Sequence, residues 1–299
     1  MMPNSLSIVG AGRVGRVLGR RLHELGWKIR AVTATTEANA RRAVRFIGEG
    51  RPQAGVSRQV LCAKTILLTV PDDRIAEVAN SLAREGGKEL QGKVILHASG
   101  AVDSSALAPL RACGAAVGSM HPLQTFSGVH VPPLEGKVFA TEGDEAAVRV
   151  ARRIARALGG VPVNLAAEQK PLYHAGGAYA AGLVLALEEA GVQALMAAGM
   201  KRREAVRALL SLTRQVLEHY EKLGPHKAWT GPLSRGDYKV VAAHEKALAA
   251  LPPEFLQAYR AVSRLAARLL ARDSEAVLRE LDEIAAQKPA LAKGKGGNA

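Results

Sequence analysis

Leu6-Ser7-Ile8-Val9-Gly10-Ala11-Gly12-Arg13-Val14-Gly15 begins as an apolar run and breaks on three glycines spaced G-x-G-x-x-G. An amphipathic pattern follows, from Arg13 to Leu25. Strand, tight glycine turn and helix in that order make the start of a parallel crossover unit. Gly10 permits the turn, Gly12 lets backbone come close to a pyrophosphate, and Gly15 lets the helix pack tightly on the strand. The helix start offers unpaired N–H groups and the positive end of the peptide dipoles to phosphate. The spacing alone occurs in many loops, and its position at the first strand-to-helix turn is what points to a dinucleotide. Gly10, Ala11, Gly12, Arg13, Val14 and Gly15 are the first candidate cofactor residues.

The pattern continues outward from this turn. Runs at Leu6–Val9, Ile29–Thr33, Thr65–Val70, Lys93–Ala98, Ala115–Ser119, Val138–Ala140 and Val161–Asn164 read as strands. Amphipathic stretches such as Arg13–Leu25, Asp73–Arg84, Ser104–Ala112 and Asp144–Leu158 lie between them. Alternation of this kind predicts an α/β fold with a doubly wound, mostly parallel sheet. After Glu168 the strand signal stops. Helical patterns fill Lys170–Met200, Arg202–Lys222, Asp237–Ala250, Glu254–Ala271 and Ser274–Gln287. The expected organisation is a sheet domain over 1–164, an all-helical domain over 165–287 and a Gly- and Lys-rich disordered tail over 288–299.

Composition narrows the partners. The 299 residues carry 41 Lys and Arg against 27 Asp and Glu, a net charge of +14, with the excess leaning toward residues 1–164. Such a field draws anions. Aromatic residues are only 4%, too few to stack single-stranded bases. A small anionic ligand is therefore expected ahead of nucleic acid. Cys62 and Cys113 form no metal or redox pair, and no secretory pattern precedes Ser5, so a reducing cytoplasm is the expected location. The apolar stretch Ala175–Leu187 ends at Glu188-Glu189. Being shorter than the ~20 residues of a membrane span, it is expected to be a buried core helix.

An acidic residue near the end of the second strand would bond the ribose of NAD. The stretch Ala31-Val32-Thr33-Ala34-Thr35-Thr36 carries hydroxyls instead, and Arg41 and Arg42 follow. Thr35, Thr36 and Arg41, with Arg13, suit the extra phosphate of NADP; the alternative is that the arginines only line a solvated helix face. Ligands in such sheets bind beyond the carboxyl ends of the strands. Val70-Pro71-Asp72, His97-Ala98-Ser99-Gly100 and Met120-His121-Pro122 stand at three such ends. Asp72 and Ser99 could equally cap helices. The histidine spacing matches no standard metal motif, so no metal is expected.

Together, Gly10-x-Gly12-x-x-Gly15, Thr69-Val70-Pro71-Asp72, His97-x-Ser99-Gly100, His121-Pro122-Leu123-Gln124, Tyr173-His174 and Thr230-Gly231-Pro232-x-x-Arg235-Gly236-Asp237 resemble a Rossmann family. That family pairs an NADP oxidoreductase-type domain with a helical domain of unknown function. More distantly the chain is similar to pyrroline-5-carboxylate reductase, deazaflavin-dependent NADP oxidoreductases, and the 6-phosphogluconate and β-hydroxyacid dehydrogenases. The resemblance implies a nicotinamide cofactor, a reductase ancestry and a helical domain of the kind that commonly forms a homodimer, and it supplies no substrate; with the residue readings, the expected function is NADP-dependent reduction of a small, carboxylate-bearing carbonyl or imine by a homodimer. A non-catalytic NADP-binding sensor or scaffold is the alternative. The hydroxyacid dehydrogenases carry Lys-x-x-x-Asn on a helix, and here Lys170 is followed by His174. Pro171 fits a first helical turn, and residues four apart share a face. Lys170, His174, Ser99 and His121 are the expected catalytic group; the alternative is that Lys170 is a solvated first-turn residue and His174 a hydrogen-bonded packing residue.

Overall fold

The computed structural model describes residues 4–128 and 130–286; the expected tail over 288–299 lies outside the described residues. The chain forms two compact units, Met1–Ala181 and Gly182–Ala299.

The first unit is an eight-stranded sheet in the order β3-β2-β1-β4-β5-β6-β7-β8. Its strands are β1 (Ser5–Val9), β2 (Lys28–Ala34), β3 (Arg51–Ala54), β4 (Thr65–Leu68), β5 (Val94–His97), β6 (Ala116–Pro122), β7 (Val138–Gly143) and β8 (Val161–Asn164). β1 to β6 pair in parallel, β7 runs antiparallel to β6, and β8 is parallel to β7. Helices α1 (Arg13–Glu24), α2 (Glu37–Ile47), α3 (Ile75–Gly86), α4 (Ala108–Ala112) and α5 (Glu145–Ala157) cover it. One core holds Leu18 and Leu22 of α1, Ile47 of α2 and Ile154 of α5 against Leu6, Ile8, Leu67 and Leu96. The other holds Val78 and Leu82 of α3 and Leu110 of α4 against Val9, Ile66, Leu68 and Ile95. Adjacent residues of one strand thus feed opposite cores, which is why β4 and β5 read as unbroken apolar runs. Trp27 closes the first core, 4% exposed, with the Arg153 guanidinium 5.6 Å from its ring centroid.

Two features of the sheet escape the sequence pattern. β3 is Arg-Pro-Gln-Ala at the sheet edge, where Pro and polar residues are tolerated and no apolar alternation is needed. β6 extends through His121 to Pro122 because antiparallel pairing with β7 continues it, His121 opposite Ala140. His121 therefore stands in a strand rather than in the loop after one.

α6 (Lys170–Ala178) belongs to the first unit, because its first residue is buried at the sheet's carboxyl end. A π turn, Tyr179–Leu183, joins α6 to α7 (Val184–Ala197), so the helix is continuous over Ala167–Ala197. It is 31 residues long, its most apolar window is only 6% buried, and it is long and apolar enough by length and composition to cross a membrane. The expected short core helix is thus neither short nor buried: Leu172 is 79% and Leu185 70% exposed.

The second unit continues with α8 (Arg202–Leu223), α9 (Pro225–Ala228), α10 (Pro232–Arg235), α11 (Tyr238–Leu248), α12 (Pro253–Leu270) and α13 (Ser274–Ala286). Val241, Ala267, Leu278, Leu281 and Ile284 form its core. Glu245, 6% exposed, accepts from Arg260 Nε at 2.9 Å. Trp229 is half-buried here. Asp237 stands at the start of α11 without capping it; its carboxylate takes Arg235 instead, Nε to Oδ2 3.0 Å.

Candidate active site

The glycine turn is built as its spacing requires. Gly10 has φ +91°, and a Cβ there would lie 2.6 Å from Val70 Cγ1. Thr69 Oγ1 donates to the Gly10 carbonyl and occupies the place of any side chain on Gly15. Gly12 is different: a Cβ on it would meet only the Thr69 carbonyl, at 3.9 Å. Its outer face opens on a cleft of about 790 Å³ lined by Gly10, Ala11, Gly12, Thr35, Val70 and Pro71 among others. Gly12 begins α1 with no side-chain cap and no acidic residue in the first turn, so the N–H groups of that turn are free for an anion.

Asn39 and Arg42 of α2 also line the cleft, as do Arg16 and Arg74. Of the two arginines on α2 singled out by the sequence, Arg42 lines it and Arg41 does not. Arg41 turns back to Glu37, Nη2 to Oε1 2.6 Å, and this pairing four residues apart was readable in the sequence. Thr35 lines the cleft, whereas Thr36 accepts the Asn39 N–H at 3.2 Å as the cap of α2. Arg13 lies against Gly128 and is not a lining residue. Val14 and Gly15 face inward on α1, and Asp72 opens a short 3-10 turn after Pro71, away from the lining. The donor set fits a phosphorylated dinucleotide: an uncapped helix start behind a bare glycine for the pyrophosphate, and at the ribose end an arginine and hydroxyls with Glu37 already paired.

Beside this cleft the ends of β5 and β6 and the start of α6 meet. The Lys170 ammonium is 1% exposed and donates to the Ser99 carbonyl at 3.0 Å and to Ser119 Oγ at 2.8 Å. Ser119 Oγ donates to Glu142 Oε2 at 3.2 Å. Glu142 also accepts from Ser104 N at 2.9 Å and Ser104 Oγ at 2.6 Å. Burial lowers the Lys170 pKa, while the Glu142, Asp103 and Asp72 carboxylates oppose the shift. Ser99 is equally committed. Its Oγ accepts from Ala101 N at 3.2 Å and Val102 N at 3.0 Å, closing the loop after β5. Lys170 and Ser99, two of the four expected catalytic residues, are thus both buried and hydrogen-bonded, the lysine being paired across Ser119 to the buried Glu142 carboxylate.

The surface above them belongs to His121, Tyr173 and His174. His121 Nδ1 lies 3.0 Å from Tyr173 Oη. The His121 ring meets those of Tyr173 and His174 edge to face, with centroids 5.6 and 5.8 Å away. Burial, then the nearby His174 and Lys170, lowers the His121 pKa to about 4. Burial raises that of Tyr173 to about 12. Gly100 makes room for the cluster, since a Cβ there would lie 2.7 Å from His174 Cδ2 and 2.9 Å from His121 Nε2. Tyr173, Ser119 and Glu142 were not among the expected residues. Tyr173 was legible, one position from His174 on a helix whose start was fixed. Glu142, on β7 between β6 and β8, gave no signal. Among the described residues no group of three or more His, Cys, Asp or Glu is placed to hold a metal ion.

A parallel sheet with β1 central, a glycine turn at the switch point and a cleft beyond the strand ends defines a Rossmann-type dinucleotide fold. Residues 3–122 match the family model of a Rossmann-like domain, and residues 137–266 match that of a domain of unknown function, DUF2520. The chain joins these two domains. The DUF2520 match begins at β7, inside the sheet. No curated protein matches the chain. Among solved structures, protein BF3122 of Bacteroides fragilis superposes with TM-score 0.71 at 20% identity, over 88% of this chain and 97% of that one. A reductive aminase from Aspergillus terreus, solved with NADPH and ethyl-5-oxohexanoate, gives 0.67 at 17%, over 93% and 99%. An imine reductase from Pseudomonas sp. gives 0.65 at 18%, over 93% and 99%. At these identities the likeness establishes a common fold.

Proposed function

We propose that the protein is an NADPH-dependent reductase of a small carbonyl or imine compound bearing a carboxylate. The observation that carries this reading is the cleft itself: a bare glycine at an uncapped helix start, with Arg42 and Asn39 at the ribose end, beside a pocket of neutral proton-bearing side chains. The reductive aminase solved with NADPH and the imine reductase share the fold and support the reading by analogy. Bound NADPH would supply the hydride. The free N–H groups in the first turn of α1, reached over the bare Gly12, would hold its pyrophosphate and Arg42 its extra phosphate. Val70 and Pro71 would form the wall between cofactor and substrate. Lys170, fixed below, adds a positive potential that favours a substrate carboxylate and the negative charge left on a reduced carbonyl. We place the enzyme in the cytoplasm, where Cys62 and Cys113, both unpaired, stay reduced. We also propose that it works as a homodimer through the exposed α6–α7 surface.

The test is titration with NADPH and NADH, followed by NADPH oxidation with a panel of cyclic imines, amine–aldehyde mixtures and 2-oxo acids. Binding of NADPH at least ten-fold tighter than NADH, about 1.4 kcal/mol, and turnover with one panel class are expected. Equal affinity, or no turnover anywhere in the panel, contradicts the reading.

A further inference from the structure

Reduction of a carbonyl or neutral imine leaves an anion that needs a proton, and the site offers few groups able to give one. Lys170 is excluded by geometry. Its ammonium is sealed from solvent and already donates to Ser99 O and Ser119 Oγ. Ser99 is excluded because it is buried, 6% exposed, its Oγ is fixed by accepting the Ala101 and Val102 N–H groups, and an aliphatic hydroxyl is a far weaker acid than a phenol. His97 is fully buried, with both ring nitrogens engaged by the backbone of Ser99 and Asp103. What remains at the surface is the cluster of His121, Tyr173 and His174, and within it Tyr173 and His121 are the pair joined by a hydrogen bond, at 3.0 Å, with the Nε2 edge of His121 beside Gly100 and His174.

Resting on the reductase reading, we propose that Tyr173 is the proton donor to the reduced substrate, that His121 replenishes it, and that Lys170 is a positioning residue which never touches substrate. The hydride from NADPH adds to the carbon of the C=O or C=N group, and the π electron pair moves to oxygen or nitrogen. The Tyr173 O–H bond breaks as the new O–H or N–H bond forms. The phenolate takes the Nδ1 proton of His121, while Nε2 accepts one from water. The ring ends neutral with the proton on its other nitrogen, and exchange with solvent restores the first tautomer. One hydride and one proton have been transferred, the latter drawn finally from water. Both groups are in the protonation state this transfer needs, since His121 remains neutral and Tyr173 protonated over the whole range between about 4 and about 12. A phenol is also a strong enough acid to protonate an alkoxide or amide anion downhill. His174, exposed, borders the same side of Gly100 as His121 Nε2.

The experiment compares wild type, Tyr173→Phe, His121→Asn and Lys170→Arg in the full chain. In turnover of a panel substrate, Tyr173→Phe is expected to lower kcat at least 100-fold with NADPH affinity within two-fold of wild type. His121→Asn is expected to lower kcat about ten-fold, with partial rescue by added imidazole, which a purely structural role would not allow. Lys170→Arg is expected to change KM more than kcat. A Tyr173→Phe variant that keeps kcat within three-fold, in an active wild-type background, overturns the donor assignment and leaves the reductase reading standing. A wild type inactive on the whole panel overturns the reductase reading, and the assignment falls with it. Independently of substrate, nitrogen-15 NMR of the wild type should show His121 neutral at pH 5.5, with a tautomer ratio that moves in Tyr173→Phe. An ordinary titration near pH 6.5, unchanged by that substitution, contradicts the pairing.

Discussion

His97 shows how a single ring couples this fold to pH. Its Nδ1 accepts the Ser99 N–H at 3.2 Å, and its Nε2 stands 3.1 Å from the Asp103 carbonyl. A backbone N–H can only donate and a carbonyl can only accept, so the ring is held neutral with its proton on Nε2. Burial first, then the Lys170 charge, lowers its pKa from 6.5 to about 4. Between those values the unfolded chain binds a proton that the folded chain does not. Stability is therefore complete above pH 6.5 and falls as the pH drops toward 4, by about 3 kcal/mol from this fully buried group. Urea unfolding across that range is expected to show the loss. His97→Gln should be less stable at pH 7 by about 1–3 kcal/mol and have a flatter slope, with the part due to His121 retained. A slope unchanged in the variant would show that His97 is not its source.

Between residues and molecule stands α2, whose phase decides which arginine meets the ligand. Ala40, Ala43 and Ile47 are its buried face. Arg41 lies one helical step from Arg42 and is held by Glu37, while Arg42 lines the cleft with Asn39. Arg42→Ala is expected to weaken NADPH by 10- to 100-fold, about 1.4–2.8 kcal/mol, and to leave NADH within two-fold. Arg41→Ala should alter neither, as calorimetric titration can check. The glycine turn was legible because its chemistry is local: spacing, conformation and neighbours all lie within ten residues. The same holds for the order of strands and helices. The choice between Arg41 and Arg42 needed the Glu37 pairing weighed against a one-step rotation. β3 was hidden by its edge position. The Lys170–Ser119–Glu142 chain was illegible in the sequence because it joins α6, β6 and β7, and no periodicity encodes which ends of three elements meet.

On the scale of the whole molecule, the unmet demand is the apolar surface of Ala167–Ala197. A helix apolar on most faces requires cover, and apolar composition cannot say whether cover comes from the same chain. Glu188 and Glu189 lie within it, Glu189 bonded to Arg202 at 2.8 Å; a membrane span would carry those charges into hydrocarbon at high cost. A two-fold interface with a second copy satisfies the surface without that cost. Light scattering is expected to give twice the 31.5 kDa of one chain without detergent. Leu185→Glu, at a 70% exposed position, should shift the population toward monomer by placing a charge in the contact. A detergent-free monomer in the wild type, or a dimer indifferent to Leu185→Glu, would locate the cover elsewhere.

The placement of the two indoles gives the chain a built-in optical readout. Trp27 is sealed in the core of the first unit under Arg153, and Trp229 is half-buried in the second; the sequence contains no other tryptophan. Replacing either with phenylalanine leaves fluorescence that reports on one unit alone. Superimposed melting curves from the two variants would mean that the units come apart in a single cooperative event. Separated curves would give each unit its own midpoint, and adding NADPH would then show which of the two emissions the ligand protects.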